Sequence, residues 1–423
     1  MKKLTIALLS ILTLTLSGCF KDDDTPIVIE ETTIINNNNE GGNTETCPTV
    51  VKAGGIAINE TWTSDNIYIL DRKVVVQEGV TLTIEPGTII KGRAGTGSLS
   101  SALIVARGGK LMAEGTAAAP IIFTAESDNI TCGETAGTNL NETNVGLWGG
   151  VIILGYAPCS LSGDVEEAQI EGIPADDTFG LYGGTDAADN SGVLNYVSIR
   201  HGGTLIGEGN EINGLTLGGV GSGTQISNVE VVANVDDGIE FFGGTVNASN
   251  LVVWAQGDDG LDIDQAYSGT INNSVVILGD NSDHGLEIDG GEGSANGSYT
   301  LNNITLKGNQ NTSGGEYADF RSNAMGANNN IYAFGFKDSS DIELDNDGVA
   351  ENYNNDLLTF SNWQIVLPSG VTDVTSLFNN TSSTATPGFG SEASAVTQGN
   401  QTVGADTSGL TWTYASIKGA LNF

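Results

Sequence analysis

The chain has 423 residues, with 15 Lys+Arg against 52 Asp+Glu and a formal net charge of −37. That charge excludes a nucleic-acid backbone binder, because binding phosphate would gather counterions instead of releasing them. With 16% charged and 39% hydrophobic residues it is no charge-rich disordered chain, and its 59 glycines call for many turns. Two histidines and four cysteines leave little stock for a zinc site.

The first residues read as an address. Lys2-Lys3 and the apolar run 4–16 have the form of a secretory leader spanning residues 1–18. The run is too short and too soon interrupted to span a membrane. Leu16-Ser17-Gly18-Cys19 resembles a bacterial lipobox, which implies cleavage before Cys19 and its lipidation as a membrane anchor. The acidic run Asp22-Asp23-Asp24 just behind it resembles the surface-export signal of Bacteroidota lipoproteins. That resemblance implies an outer-membrane lipoprotein exposed at the cell surface. Residues 19–46 are polar and rich in Asn, a flexible tether.

Three cysteines remain: Cys47, Cys132 and Cys159. Any pairing leaves one thiol free. A Cys132–Cys159 disulfide is expected, since both flank one polar excursion. No Cys-x-x-Cys occurs, so neither a redox motif nor a zinc knuckle is indicated.

Short β-rich runs follow at 67–70, 74–76, 81–84, 88–90, 103–105 and 121–124, each bounded by Gly, Pro, Asn or Asp. No helical periodicity precedes Thr413. A repeat then surfaces: Asn228-Val-Glu-Val231, Asn250-Leu-Val-Val253, Ser274-Val-Val-Ile277 and Asn303-Ile-Thr-Leu306 align. Between them stand Asp236-Asp-Gly-Ile-Glu240, Asp258-Asp-Gly-Leu-Asp262 and Asp283-His-Gly-Leu-Glu287. A period in the low twenties with short strands means a solenoid, whose coils bury their apolar faces only by stacking. The expected fold is all-β, a single right-handed parallel β-helix over residues 47–423. Residues 47–65 should cap its first coil against edge pairing. The tail 412–418 should close the other end, as a short helix.

Several stretches resemble a group of bacterial surface β-helix lipoproteins, some labelled "multidrug transporter". They are Val80-Thr-Leu-Thr-Ile-Glu-Pro-Gly-Thr88, Gly146-Leu-Trp-Gly-Gly150, Tyr196-Val-Ser-Ile-Arg-His-Gly-Gly203 and Asp236-Asp-Gly-Ile-Glu-Phe-Phe-Gly-Gly244. The resemblance implies a pectin-lyase-like fold over most of residues 50–423. It implies no transport, because the repeat is spaced for stacking and not for a lipid-facing barrel.

Placing Ile239, Leu261 and Leu286 inward turns Glu240, Asp262 and Glu287 outward in one stack. Asp264 and Asp289 make a second, with Asp236/Asp258/Asp283 and Asp237/Asp259/His284 at the preceding turn. Stacked carboxylates repel, and the relief is solvation, a raised pKa or a bound cation. Calcium suits such oxygens, with Asp258, Asp259, Asp262 and Asp264 as its candidate ligands. Asp and Gly also simply make turns.

The order Asp258-Asp259, His284-Gly285 and Arg321 resembles the motifs of polygalacturonase-type inverting glycosidases. That resemblance implies Asp259 as general acid, Asp237 and Asp258 activating water, and His284 and Arg321 binding substrate. Asp283 and Ser322-Asn323 depart from the pattern. A lyase would need an arginine or lysine base, for which Arg200 and Arg321 stand nearby. Trp148 and Trp254 read chiefly as packing.

Two functions follow. The first is a lipid-anchored surface rod that binds a glycan or an outer-membrane protein partner, stiffened by calcium. The second is a polysaccharide hydrolase, or a lyase, working at the acidic stack.

Overall fold

The computed structural model describes residues 33–35, 47–173, 178–204, 212–312 and 314–423. The leader, Cys19 and nearly all of the tether lie outside them. The chain winds as a right-handed parallel β-helix. Each coil lays one stretch on each of three parallel faces, and in the upper coils the third- and first-face stretches run on as a single strand. The first face climbs in register from Val50 through Tyr68, Ile90, Phe123 and Ile199 to Val231, Val253 and Val276. It goes on through Leu306 to the 363–365 and 393–395 rungs. The second face runs from residues 54–56 to Phe378–Asn380.

Stacking builds the core. Leu215, Ile239, Leu261, Leu286, Ala318 and Ile342 sit one above another on the second face, none exposed. Each large side chain so buried stabilises the fold by roughly 1.5–3 kcal/mol, and none could be buried by a lone coil.

Between the third and first faces the chain turns a sharp corner inside single strands, such as Gln225–Val232 and Asn247–Trp254. The corner residue has positive φ in Asn228, Asn250, Asn273, Asn303, Asn330 and Asn362. Asparagine tolerates this left-handed geometry better than any other residue with a Cβ. Its amide also climbs the rod: Asn250 Nδ2 donates to Asn228 Oδ1 at 3.2 Å and Asn273 Nδ2 to Asn250 Oδ1 at 2.7 Å. This corrects one alignment. The third repeat unit begins at Asn273, not Ser274, because Val252 pairs with Val275. In a strand, a slip of one residue exchanges the inner and outer faces.

Four expectations change. Residues 47–65 are the first coil itself, and its outer edge pairs antiparallel with Thr33–Ile35. Cys132 is bonded to Cys47, Cα atoms 5.9 Å apart, and not to Cys159. Cys159 is a free thiol beside Phe242, whose carbonyl it meets at 3.3 Å. A helix absent from the sequence reading, Asp347–Asn354 (α1), sits in the loop after Ile342–Leu344, capped by the Asn346 side chain on the Val349 N–H. The tail forms the short helix Tyr414–Ile417 (α2), yet it does not close the end. It runs back along the flank, with Gly404 N–H on the Asn330 carbonyl and Glu230 accepting from the Tyr414 and Ala415 N–H groups.

Candidate functional site: an acidic column on the second face

The outward side chains of the second face form one continuous column. Its lower part is apolar: Val75, Ile104 and Ile152 stack in register and are fully buried. They are covered by Leu161, Ile170 and Tyr182 from the excursion after Leu154. Above Thr216 the same column becomes acidic, as Glu240, Asp262, Glu287, Asp319 and Glu343. The expected stack of Glu240, Asp262 and Glu287 is therefore present and two carboxylates longer. Asp319 and Glu343 escaped the sequence reading because a long loop breaks the period. The alternation of Tyr317-Ala318-Asp319-Phe320 was the available signal.

The turn before this face carries a second ladder, made of side chains that accept from the coil above. Asn213 Oδ1 takes the Asp237 N–H at 3.2 Å, Asp237 Oδ1 the Asp259 N–H at 2.9 Å, and Asp259 Oδ1 the His284 N–H at 2.8 Å. The glycine that follows each acid is required by packing. A Cβ on Gly238 would collide with Val253 and the Gly260 carbonyl, and one on Gly260 with Val276 and the Gly285 carbonyl. The Asp-Asp-Gly repeat is thus a coil-to-coil lock.

These carboxylates are not solvated. Asp237 and Glu240 are each 6% exposed, Asp259 2% and Asp262 8%. Oxygens of Asp237, Glu240 and Asp262 all lie within 4.8 Å of one another. At an effective dielectric near 20 such a pair of charges repels by about 3–4 kcal/mol. Burial foremost, then Asp262, lifts the pKa of both Asp237 and Glu240 well above the usual range. Burial and Glu287 do the same to Asp262. Asn213 Nδ2 donates to Glu240, but Asp262 Oδ1 is buried with no hydrogen-bond partner among the described residues.

Farther up, the column meets its cations. Burial alone would depress His284, but the Asp259 carboxylate, 2.7 Å from Nδ1, holds the imidazole up to about 10. Arg321 closes on Glu287 at 2.6 Å and on Asp289 at 2.7 Å. Burial lifts Glu287 to about 9 and Asp264 to about 7, the latter with help from Asp289. Asp258 is exposed, and partial desolvation with Asp259 and Asp283 moves it up to about 6.

The structure thus brings Asp237, Asp258, Asp259 and His284 together on adjacent coils, with Arg321 reaching Glu287 on the same face. The suggested calcium set does not converge as a group. Asp258 clusters with Asp236 and Asp237, Asp259 with His284 and Glu287, and Asp262 with Asp237 and Glu240, while Asp264 joins no such group among the described residues. Each close group draws its acids from two successive coils, so the four acids of the single coil 258–264 do not meet at one point. Arg200 is no surface base: it is enclosed, bonded to Ser198 and to the Thr135 carbonyl. Trp148 is fully buried with its indole N–H on the Arg200 carbonyl, as packing requires.

Beside this column, along the turns that lead into it, an open groove of ≈ 500 Å³ crosses several coils. Trp254, half-buried against Tyr414, lies in its wall with Gln256, Asp280, Asn281 and Asn309. Val235 and Gly257 belong to it as well, so Asp236 and Asp258 follow directly at its edge.

The fold defines a right-handed parallel β-helix protein. A family model described as a pectate-lyase-like beta helix domain matches residues 54–416, and the chain belongs to that family. This membership fits a polysaccharide-binding or polysaccharide-active protein. Among solved structures, full-length tailspike protein 2 from Escherichia coli O157:H7 bacteriophage CAB120 is similar at 13% identity with a TM-score of 0.23. The match covers 72% of this chain and 40% of the tailspike, so the chain spans under half of that protein's length. No curated protein matches. Among the described residues no helix is long and apolar enough to cross a membrane.

Proposed function

We propose that the protein is a lipid-anchored cell-surface rod that binds a polysaccharide without cleaving it. One observation carries the reading: the groups a hydrolase would need are engaged with one another. Asp259 accepts twice from His284, and Asp237 supports the next coil through the Asp259 N–H. Arg321 is spent on Glu287 and Asp289. An inverting hydrolase needs two carboxyls facing each other across open space for sugar and water, and Asp237 and Asp259 are closed in.

The groove supplies what a neutral sugar chain meets in a binding site. Trp254 offers an apolar ring face, and Asn281 and Asn309 offer amides at its rim. Asp280 and Glu142 make it acidic, which disfavours uronic acids. The anchor rests on the Leu16-Ser17-Gly18-Cys19 motif. Calcium belongs with the rod's stability, argued below.

The test is a glycan array read with wild type and Trp254→Ala. The variant should lose at least tenfold in affinity for whatever wild type retains. Retention unchanged by the substitution would remove the groove from the account. Cys19→Ser should move the protein from the membrane fraction to the soluble one, and an unchanged distribution would remove the anchor.

A second reading keeps one supporting fact. Asp258, in the resemblance one of the water-activating pair, is exposed at the groove's edge, and partial desolvation with Asp259 and Asp283 pushes its carboxyl up to about 6. Were the protein a hydrolase, reducing ends would accumulate from the retained glycan and Asp258→Asn would abolish them. We expect none from either protein.

A further inference from the structure

The buried end of the acidic column carries an inference beyond glycan binding. Three carboxylates, from Asp237, Glu240 and Asp262, offer oxygens within 4.8 Å of one another inside the wall of the coil. All three residues are more than nine-tenths buried. Among the described residues Asp262 Oδ1 has no hydrogen-bond partner, although its carboxylate points into this cluster. The donors supplied to the other two are the Asp259 N–H on Asp237 and the Asn213 amide on Glu240. The neighbours beyond are Asp236, Asp259, Asp264, Glu171 and Glu287, so the surroundings add negative charge. His284 and Arg321 are engaged one or two coils away, on Asp259 and on Glu287 and Asp289.

A buried charge without a partner is among the most costly features a fold can hold. The column could have stayed apolar, as it does at Val75, Ile104 and Ile152. We propose that Asp237, Glu240 and Asp262 hold a structural divalent cation of the calcium class within the wall of the β-helix. Calcium binds oxygen at 2.3–2.6 Å, so two of its ligands lie at most roughly 5.2 Å apart, and oxygens that all fall within 4.8 Å of one another satisfy that limit. Magnesium dehydrates reluctantly and keeps several waters, which suits a buried all-protein cluster less. The ion would tie two successive coils where the lateral repulsion is greatest. It is a fastening within the wall, with no part assigned to it in holding sugar.

The experiment strips the full-length protein with EDTA, then titrates calcium by calorimetry and follows thermal unfolding. Wild type should take up about one tight equivalent, with a Tm higher by several degrees at a hundredfold excess over Kd. Asp262→Asn and Glu240→Gln should each lose at least tenfold in affinity and most of the Tm rise. Asp338→Asn, an exposed acid elsewhere, should keep both. Wild type that binds no tight equivalent and melts alike in calcium and EDTA overturns the proposal. So does Asp262→Asn that retains full uptake, because the ion then sits elsewhere. If Asp262→Asn takes up no calcium but melts above wild type in calcium and in EDTA alike, the carboxylates share protons and the proposal also falls. Glycan retention by the groove is scored separately, so the two readings fail independently.

Discussion

Two polar columns climb the same coils, and they differ in whether their hydrogen bonds can close. At the corner between the third and first faces, each asparagine carries both a donor and an acceptor. The amide of Asn250 therefore gives to Asn228 and receives from Asn273, and higher up Asn303 and Asn330 give to Asn272 and Asn302, so that asparagine amides satisfy one another. On the second face each side chain ionises to an acceptor alone. Asp237 and Asp259 find backbone N–H groups, Glu287 finds Arg321, and Asp262 Oδ1 finds no donor among the described residues. A neutral ladder can be extended without limit, whereas a carboxylate ladder must import protons or cations. The first is architecture, and the second is where the molecule answers to its surroundings.

The sharpest break falls on the neutral column. Asn250→Ala removes two amide hydrogen bonds and leaves an alanine at φ 56°. Left-handed strain costs about 1–2 kcal/mol and each lost bond about 1. A total near 3–4 kcal/mol is expected by urea unfolding, and Asn250→Gly should recover the strain part. Equal losses in both variants would mean that the corner geometry is unimportant. The acidic column should then prove graded along its length. At its upper end Glu343 accepts from the Thr381 hydroxyl at 2.6 Å and is part exposed. Glu343→Gln should change stability by under about 0.5 kcal/mol. A change as large as that of Glu240→Gln would erase the distinction between the buried and the wet end.

Much of this was legible beforehand. The inward–outward alternation of Ile239-Glu240-Phe241 and Leu261-Asp262-Ile263 is a period-2 signal, and a repeat near 22 residues forces those positions into register. The fold and the Glu240–Asp262–Glu287 stack followed directly. What stayed hidden lay in contacts between distant segments. Nothing local marks Cys47 as the partner of Cys132, 85 residues away. Burial of the stack depends on neighbours brought in from far along the chain, such as Asn213 and the excursion around Glu171, which the period does not encode. The tail's return along the flank depends on Glu230 capping α2, a contact across 184 residues. The helix α1 was missed although Asn346-Asp347 is a recognisable start, since eight residues show too little periodicity.

The central claim, that the acidic column is closed into the wall and short of positive charge, has a direct measurement: the pH dependence of melting in EDTA. A carboxyl whose folded pKa is raised stabilises the fold fully below its unfolded value near 4. That contribution is lost as pH climbs through the folded value, about 7 for Asp264 and about 9 for Glu287. His284, raised to about 10, acts in the same direction. His201, pulled down to about 4 by burial, opposes them only below about pH 6.5. Carboxyls held low, such as Asp347, act below pH 4. Between pH 8.5 and 6.5 in EDTA the Tm should therefore rise by several degrees as the solution is acidified, and Asp262→Asn should flatten the slope. A Tm that stays level or falls over that interval would mean that these acids are ordinary solvated surface groups, and the account would be wrong.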